Sequence, residues 1–150
     1  MKSWIIVLAT GFGLGHSRIM PGTCGTLLGV PLAWMLMQLP WMWLQGVILI
    51  LGVFVAVYLS DRAEKRIGGK DPQSIVVDEY LTYPITILGI SNPWALLTGF
   101  ILHRIFDILK PPPIRQVQHI QGGWGIVLDD LIAAIIALLI NAVIFKSGLF

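Results

Sequence analysis

The sequence is poor in charge, especially acid, and has almost no cysteine. Of 150 residues only 12% are charged, with eight acidic and ten basic side chains and a net charge of +2. A soluble domain carries about a quarter charged residues, so composition excludes an ordinary water-soluble fold. The weak, dispersed positive balance gives no footprint for nucleic acid. Cys24, the single cysteine, cannot close an internal disulfide, and no oxidising compartment is implied. No small-residue cleavage site follows the short apolar run that starts at Trp4, so the N-terminus is expected to be retained. No internal repeat or linker divides the chain, and residues 1–150 are expected to form a single domain.

What is present is apolar: 56% of residues are hydrophobic and the mean hydropathy is +0.82. These values predict a small integral membrane protein. The block from Leu27 to Leu59 exceeds one span of about 20 residues and is broken at Leu39-Pro40-Trp41. It predicts a hairpin of two helices, over residues 26–38 and 41–60, the first holding Pro31. Trp34, Trp41 and Trp43 flank the turn, where an interfacial aromatic belt would lie. Asp71-Pro72 has the form of an N-cap followed by a first-position proline. It predicts a third helix over 72–89, kinked at Pro84. Ser91-Asn92-Pro93 repeats the signal for a fourth helix over 93–109, which Lys110-Pro111-Pro112-Pro113 ends. A fifth runs over 124–145, with Ala133, Ala134 and Ala137 as a small packing face. The expected fold is all-α: a polytopic membrane bundle of about five helices, some short or partly inserted.

Five of the eight acids, Asp78, Glu79, Asp107, Asp129 and Asp130, lie inside or at the ends of apolar stretches. A carboxylate beside a hydrocarbon-facing segment is costly and by default marks function. If each hairpin returns the chain to its starting side, the N-terminal loop, the 61–74 loop and the 110–123 loop share one side. Every Lys and Arg except Lys146 then falls there, which the positive-inside rule makes cytoplasmic. The five carboxylates gather near that interface. Adjacent helical residues diverge by about 100°, so one member of each acidic pair faces the shared centre more directly. Several carboxylates cannot all stay ionised in a low-dielectric site without a counter-charge. A divalent cation supplies it, and oxygen-only ligands favour Mg²⁺, Mn²⁺ or Ca²⁺ over zinc. Salt bridges to Arg104, Lys110 and Arg115 are the plainer alternative.

Three neighbouring features suit phosphate. Arg104 and Lys110 sit three residues either side of Asp107, on its face of the helix. The glycine-rich stretch from Gly11 to Thr26 can present backbone N–H groups to an anion, although it lacks the Gly-Lys-Ser/Thr ending of a nucleotide loop. Glu79, Thr82, Tyr83 and Thr86 form a polar stripe that either lines a headgroup cleft or bonds to neighbouring helices. Cys24 has no arginine six residues on, there is no Asp-x-Asp nucleophile motif, and His16, His103 and His119 read as interfacial or solvent-facing.

The ordered set Pro21-Gly22-Thr23-Cys24-Gly25-Thr26, Val77-Asp78-Glu79-Tyr80, Arg104-Ile105-Phe106-Asp107-Ile108-Leu109-Lys110-Pro111-Pro112-Pro113-Ile114-Arg115 and Gly122-Gly123-Trp124-Gly125-Ile126-Val127-Leu128-Asp129-Asp130 resembles the phosphatidylglycerophosphatase A family of bacterial inner-membrane enzymes. The resemblance implies Mg²⁺-dependent hydrolysis of phosphatidylglycerol phosphate to phosphatidylglycerol and inorganic phosphate. It implies catalytic and metal-binding roles for Asp78, Glu79, Asp107, Asp129 and Asp130, and substrate binding by Thr23, Arg104, Lys110 and Arg115. Thr26 and Gln121 stand where the family often has Ser and His. The expected setting is the bacterial inner membrane, multi-pass, with the site facing the cytoplasm. A carboxylate-based cation or proton transporter is the alternative, and would hold its acids near the bilayer midplane.

Overall fold

The computed structural model describes residues 4–146, and of Lys146 only the backbone. Lys2 and the Lys146 side chain, which entered the charge argument, lie outside the described residues. Short α1 (Trp4–Ala9) leads into a 3-10 segment (Gly11–His16), then α2 (Pro21–Met37) and α3 (Met42–Ile67). After a loop come α4 (Val77–Thr82), a second 3-10 segment (Tyr83–Ile87), α5 (Trp94–Leu109), α6 (Ile114–Val117) and α7 (Gly123–Lys146). No strand occurs among the described residues. The protein is all-helical, with two helices, α3 and α7, long and apolar enough to cross a membrane.

The tight hairpin forms between α2 and α3, but α2 starts at Pro21, in what reads as loop, and α3 runs on to Ile67. The third helix departs most from expectation. Asp71 does not cap a helix. Its backbone is left-handed (φ 49) and helix begins only at Val77. Asp78 and Glu79 therefore lie in a first turn, not two turns in. The change at Pro84 is a switch from α to 3-10 geometry. This segment is fixed by distant partners: Val76 N–H donates to the Ala9 carbonyl at 2.8 Å, and Tyr80 and Tyr83 hydroxyls to those of Leu8 (2.9 Å) and Leu96 (2.7 Å). Such bonds outweigh local propensity.

The N-terminal turn of α7 packs on the C-terminal turns of α3, Gly123 lying against Val57 and Asp61. At the opposite end, Asn141 Nδ2 donates to the carbonyls of Thr86 and Ala95, both at 3.0 Å. Ala133, Ala134 and Ala137 are fully buried, as a small packing face requires. Ile50, Leu51 and Phe54 of α3 and Leu139 and Val143 of α7 are exposed, so apolar surface rings the fold. Trp34, Trp41, Trp43 and Trp94 are exposed at the end carrying the α2–α3 turn.

Candidate active site

At the other end, a cavity of about 490 Å³ is bounded by the first residues of α2, the 71–75 loop, α4, the end of α5 and the start of α7. All five expected carboxylates line it, with Asp71 as a sixth, against two cations, Arg104 and Lys110. A hollow of about 350 Å³ between α2 and α3 holds no titratable group.

Glu79 shows why α2 needs its glycines. A Cβ at Gly22 would collide with Glu79 Oε1, and one at Gly25 would lie 2.5 Å from Oε2. Two glycines thus let the carboxylate lie on the helix surface. Pro21 and Gly22 also bring the first turn of α2 to the cavity wall, where backbone N–H groups lack intrahelical partners and favour anions.

The cations are shared among the acids. Arg104 Nη1 lies 2.6 Å from Asp107 Oδ2, 4.0 Å from Glu79 Oε1 and 3.4 Å from Thr26 Oγ1. Lys110 Nζ lies 2.5 Å from Asp129 Oδ2 and 3.5 Å from Asp107 Oδ1, and Gln118 Nε2 donates to Asp129 at 3.1 Å. Lys110 reaches both acids because its left-handed backbone (φ 45) turns the chain at the end of α5. Asp78 Oδ1, Glu79 Oε2 and Asp130 Oδ1 are buried without a hydrogen-bond partner.

Six carboxylates against two cations leave a surplus of buried negative charge. Burial, with Glu79 close by, raises Asp78 well above the usual carboxylate range. Burial also pushes Glu79 up to about 8 despite Arg104, and lifts Asp71 with help from Asp129. Burial alone would lower Lys110, but its hydrogen bond and charge contact with Asp129 raise it overall. The donor set, all oxygen with orphaned buried carboxylate atoms, fits a hard divalent cation. Among the described residues no three His, Cys, Asp or Glu side chains form a ready-made metal cage, since Arg104 and Lys110 hold Asp107 and Asp129.

Other expected residues lie elsewhere. Thr23 borders an adjoining apolar groove rather than the cavity, and Arg115 is exposed on α6. Of the polar stripe only Glu79 lines the cavity. Thr82 donates to the Asp78 carbonyl at 2.6 Å, Tyr83 bonds to α5, and Thr86 is buried. His103, read as interfacial or solvent-facing, is instead fully buried, edge-on to Tyr83 with ring centroids 6.2 Å apart. Sequence reasoning missed Asp71 and Gln73 in the cavity wall and Gln118 on Asp129. An unusual backbone is the signal at Asp71. Of four non-glycine residues with positive φ among the described residues, Met20, Asp71 and Lys110 line the cavity.

Acids and two fixed cations gathered at one end of apolar helices have the makeup of a membrane phosphatase. Sequence similarity narrows this. Residues 7–145 match the family described as phosphatidylglycerophosphatase A. The chain is 40% identical over 134 residues to the phosphatidylglycerophosphatase A of Escherichia coli, covering 87% of this chain and 77% of that protein. It is 37% identical to the Haemophilus influenzae protein of that name, covering 91% and 85%. A Bacteroides thetaiotaomicron protein, named provisionally as a phosphatidylinositol-3-phosphatase, is 32% identical, covering 92% and 91%. No solved structure matches the chain. The chain belongs to the phosphatidylglycerophosphatase A family and is a phosphatase.

Proposed function

We propose that the chain is a Mg²⁺-dependent lipid phosphomonoesterase, a single-domain, multi-pass enzyme of the bacterial inner membrane. Its substrate is phosphatidylglycerol phosphate and its products are phosphatidylglycerol and inorganic phosphate. The observation that carries the reading is the six-carboxylate, two-cation cavity in a chain of this family. Two relatives bear the name of that activity, and the third is named for another lipid phosphomonoester. The transporter alternative finds no support: the relatives are phosphatases, and the acids sit at helix ends.

In this reading the terminal phosphate lies against Arg104, Lys110 and the first turn of α2, which neutralise its charge. With both cations drawn to the phosphate, Asp107 and Asp129 would be free to hold Mg²⁺ together with Asp78, Glu79 and Asp130. The ion, when bound, supplies Lewis-acid charge to the phosphoryl oxygens. A cavity carboxylate outside the ligand set accepts a proton from the attacking water. The bond between phosphorus and the glycerol oxygen breaks, water provides the new P–O bond, and the leaving oxygen takes up a proton. Arg62, Lys65, Lys70 and Arg115 stand at the cavity end and the tryptophan cluster at the other, which supports a cytoplasmic site.

The test is phosphate release by purified protein from phosphatidylglycerol phosphate, phosphatidylinositol 3-phosphate and glycerol 3-phosphate, with EDTA or Mg²⁺. The reading expects turnover that needs Mg²⁺ and strongly favours phosphatidylglycerol phosphate. Full turnover in EDTA would remove the metal. Preference for glycerol 3-phosphate or the inositol lipid would remove the substrate.

A further inference from the structure

We propose that an apolar groove between α2 and α5 seats one acyl chain of the lipid phosphate and leads its headgroup past Arg104 into the carboxylate cavity. This rests on the lipid-phosphatase reading above and adds to it a place for the chain. The groove, about 450 Å³, shares Met20, Arg104 and Ile108 with the polar cavity, so the two hollows meet at one wall. Its floor is otherwise apolar. Ile101 and Ile105 recur at helical spacing and are 48% and 44% exposed, and Leu97 extends the row one turn back along α5. That row leads from the lipid-facing surface toward the cavity rim.

Two groups at the wall point to a ligand. Thr23 Oγ1 and Arg104 Nε are both buried without a hydrogen-bond partner. Both are donors, and a buried donor without an acceptor is unfavourable. The oxygens of a glycerol ester are acceptors, and they lie between phosphate and acyl chain just as Arg104 lies between cavity and groove, with Thr23 on the groove side. An amphiphile with its phosphate among the carboxylates must keep its chains out of water, and the groove lets it do so without leaving apolar surroundings. Bulk lipid on a featureless helix face would satisfy neither donor.

The test compares kcat/KM for dipalmitoyl and dihexanoyl phosphatidylglycerol phosphate in the wild type, Ile101→Trp and Ile105→Trp, with Ile50→Trp, exposed on α3, as control. Filling the groove should lower the long-chain to short-chain ratio at least about tenfold, the scale of hydrophobic-pocket discrimination, while Ile50→Trp keeps the wild-type ratio. Folded groove variants with an unchanged ratio overturn the proposal and leave the phosphatase reading standing. A second measurement needs no variant. A phosphatidylglycerol phosphate carrying a diazirine on its acyl chain should crosslink wild-type protein at residues 100–109, with competition by unlabelled substrate. Label spread evenly over the lipid-facing helices overturns the groove. If the wild type releases no phosphate from any lipid, the phosphatase reading fails and the crosslink alone decides whether the groove holds a chain.

Discussion

Lys110 Nζ stands 2.5 Å from Asp129 Oδ2, so one ammonium ties the end of α5 to the second turn of α7. The Asp129 side chain is 8% exposed and that of Lys110 28%. Removing one partner of a fully buried pair costs roughly 3–5 kcal/mol, and the half-open lysine brings this pair below that. Lys110→Ala should therefore lower the melting temperature in detergent and remove activity. Lys110→Met with Asp129→Leu should restore much of the stability, because neither charge is left unpaired, but no activity. Recovery of both in the double variant would mean that the pair is purely structural.

Asp107→Asn and Asp130→Asn preserve size and remove charge. With both carboxylates in the reacting site, each should lower kcat by roughly 10²–10³ or more, the scale for losing one electrostatic group of a catalytic site. Lys65→Gln is the control, since its side chain is 67% exposed in a surface pair with Asp61 at 2.6 Å, and such pairs contribute about 0–1 kcal/mol. Phosphate release by folded variants decides, and Asn variants as active as the control would reduce these acids to salt bridges.

Gly25→Ala should lower activity through crowding, although the residue lies in a helix. In a free helix the change is favourable by about 1 kcal/mol. Here the new methyl would lie 2.5 Å from Glu79 Oε2 and 2.7 Å from Val76 Cβ. Displacement of Glu79 should cut kcat at least about tenfold, a rise of about 1.4 kcal/mol in the barrier. Wild-type kcat would show that Glu79 does not need its seat on α2.

Cysteines at Lys70 and Gln116, both exposed at the cavity end, should react with an impermeant maleimide only from the cytoplasmic side, in a Cys24→Ser background. Labelling from opposite sides would separate two loops that must share a face for the cavity to have one polarity.

Much of this site was legible from apolar runs and the scarcity of acid. A carboxylate among hydrocarbon-facing residues needs a reason, and the five picked out on that ground all line one cavity. Helices α5 and α7 end close to where Pro93, Lys110-Pro111 and Gly122-Gly123 place them. The 68–76 segment was not legible. Asp71-Pro72 has a helix-start composition, but the Asp71 amide donates to Glu64 Oε1 at 3.0 Å and Val76 N–H to Ala9, contacts that no local window contains. Arg115 and Thr23 show the complementary limit: the family resemblance implied substrate binding for both, and only the packing of α6 and α2 places them outside the cavity.

The left-handed backbone at Met20, Asp71 and Lys110 bears on attempts to make the protein more robust. An ordinary side chain in that conformation costs about 1–2 kcal/mol, and glycine's extra chain entropy costs only about 0.5–1. For folding alone, glycine is no worse at Met20 and Asp71, whereas at Lys110 it would also leave Asp129 without its ammonium. A selection for heat resistance with no assay of turnover would therefore accept glycine at Asp71 and keep Lys110, and would strip the cavity of an acid while the melting curve improved or stayed level.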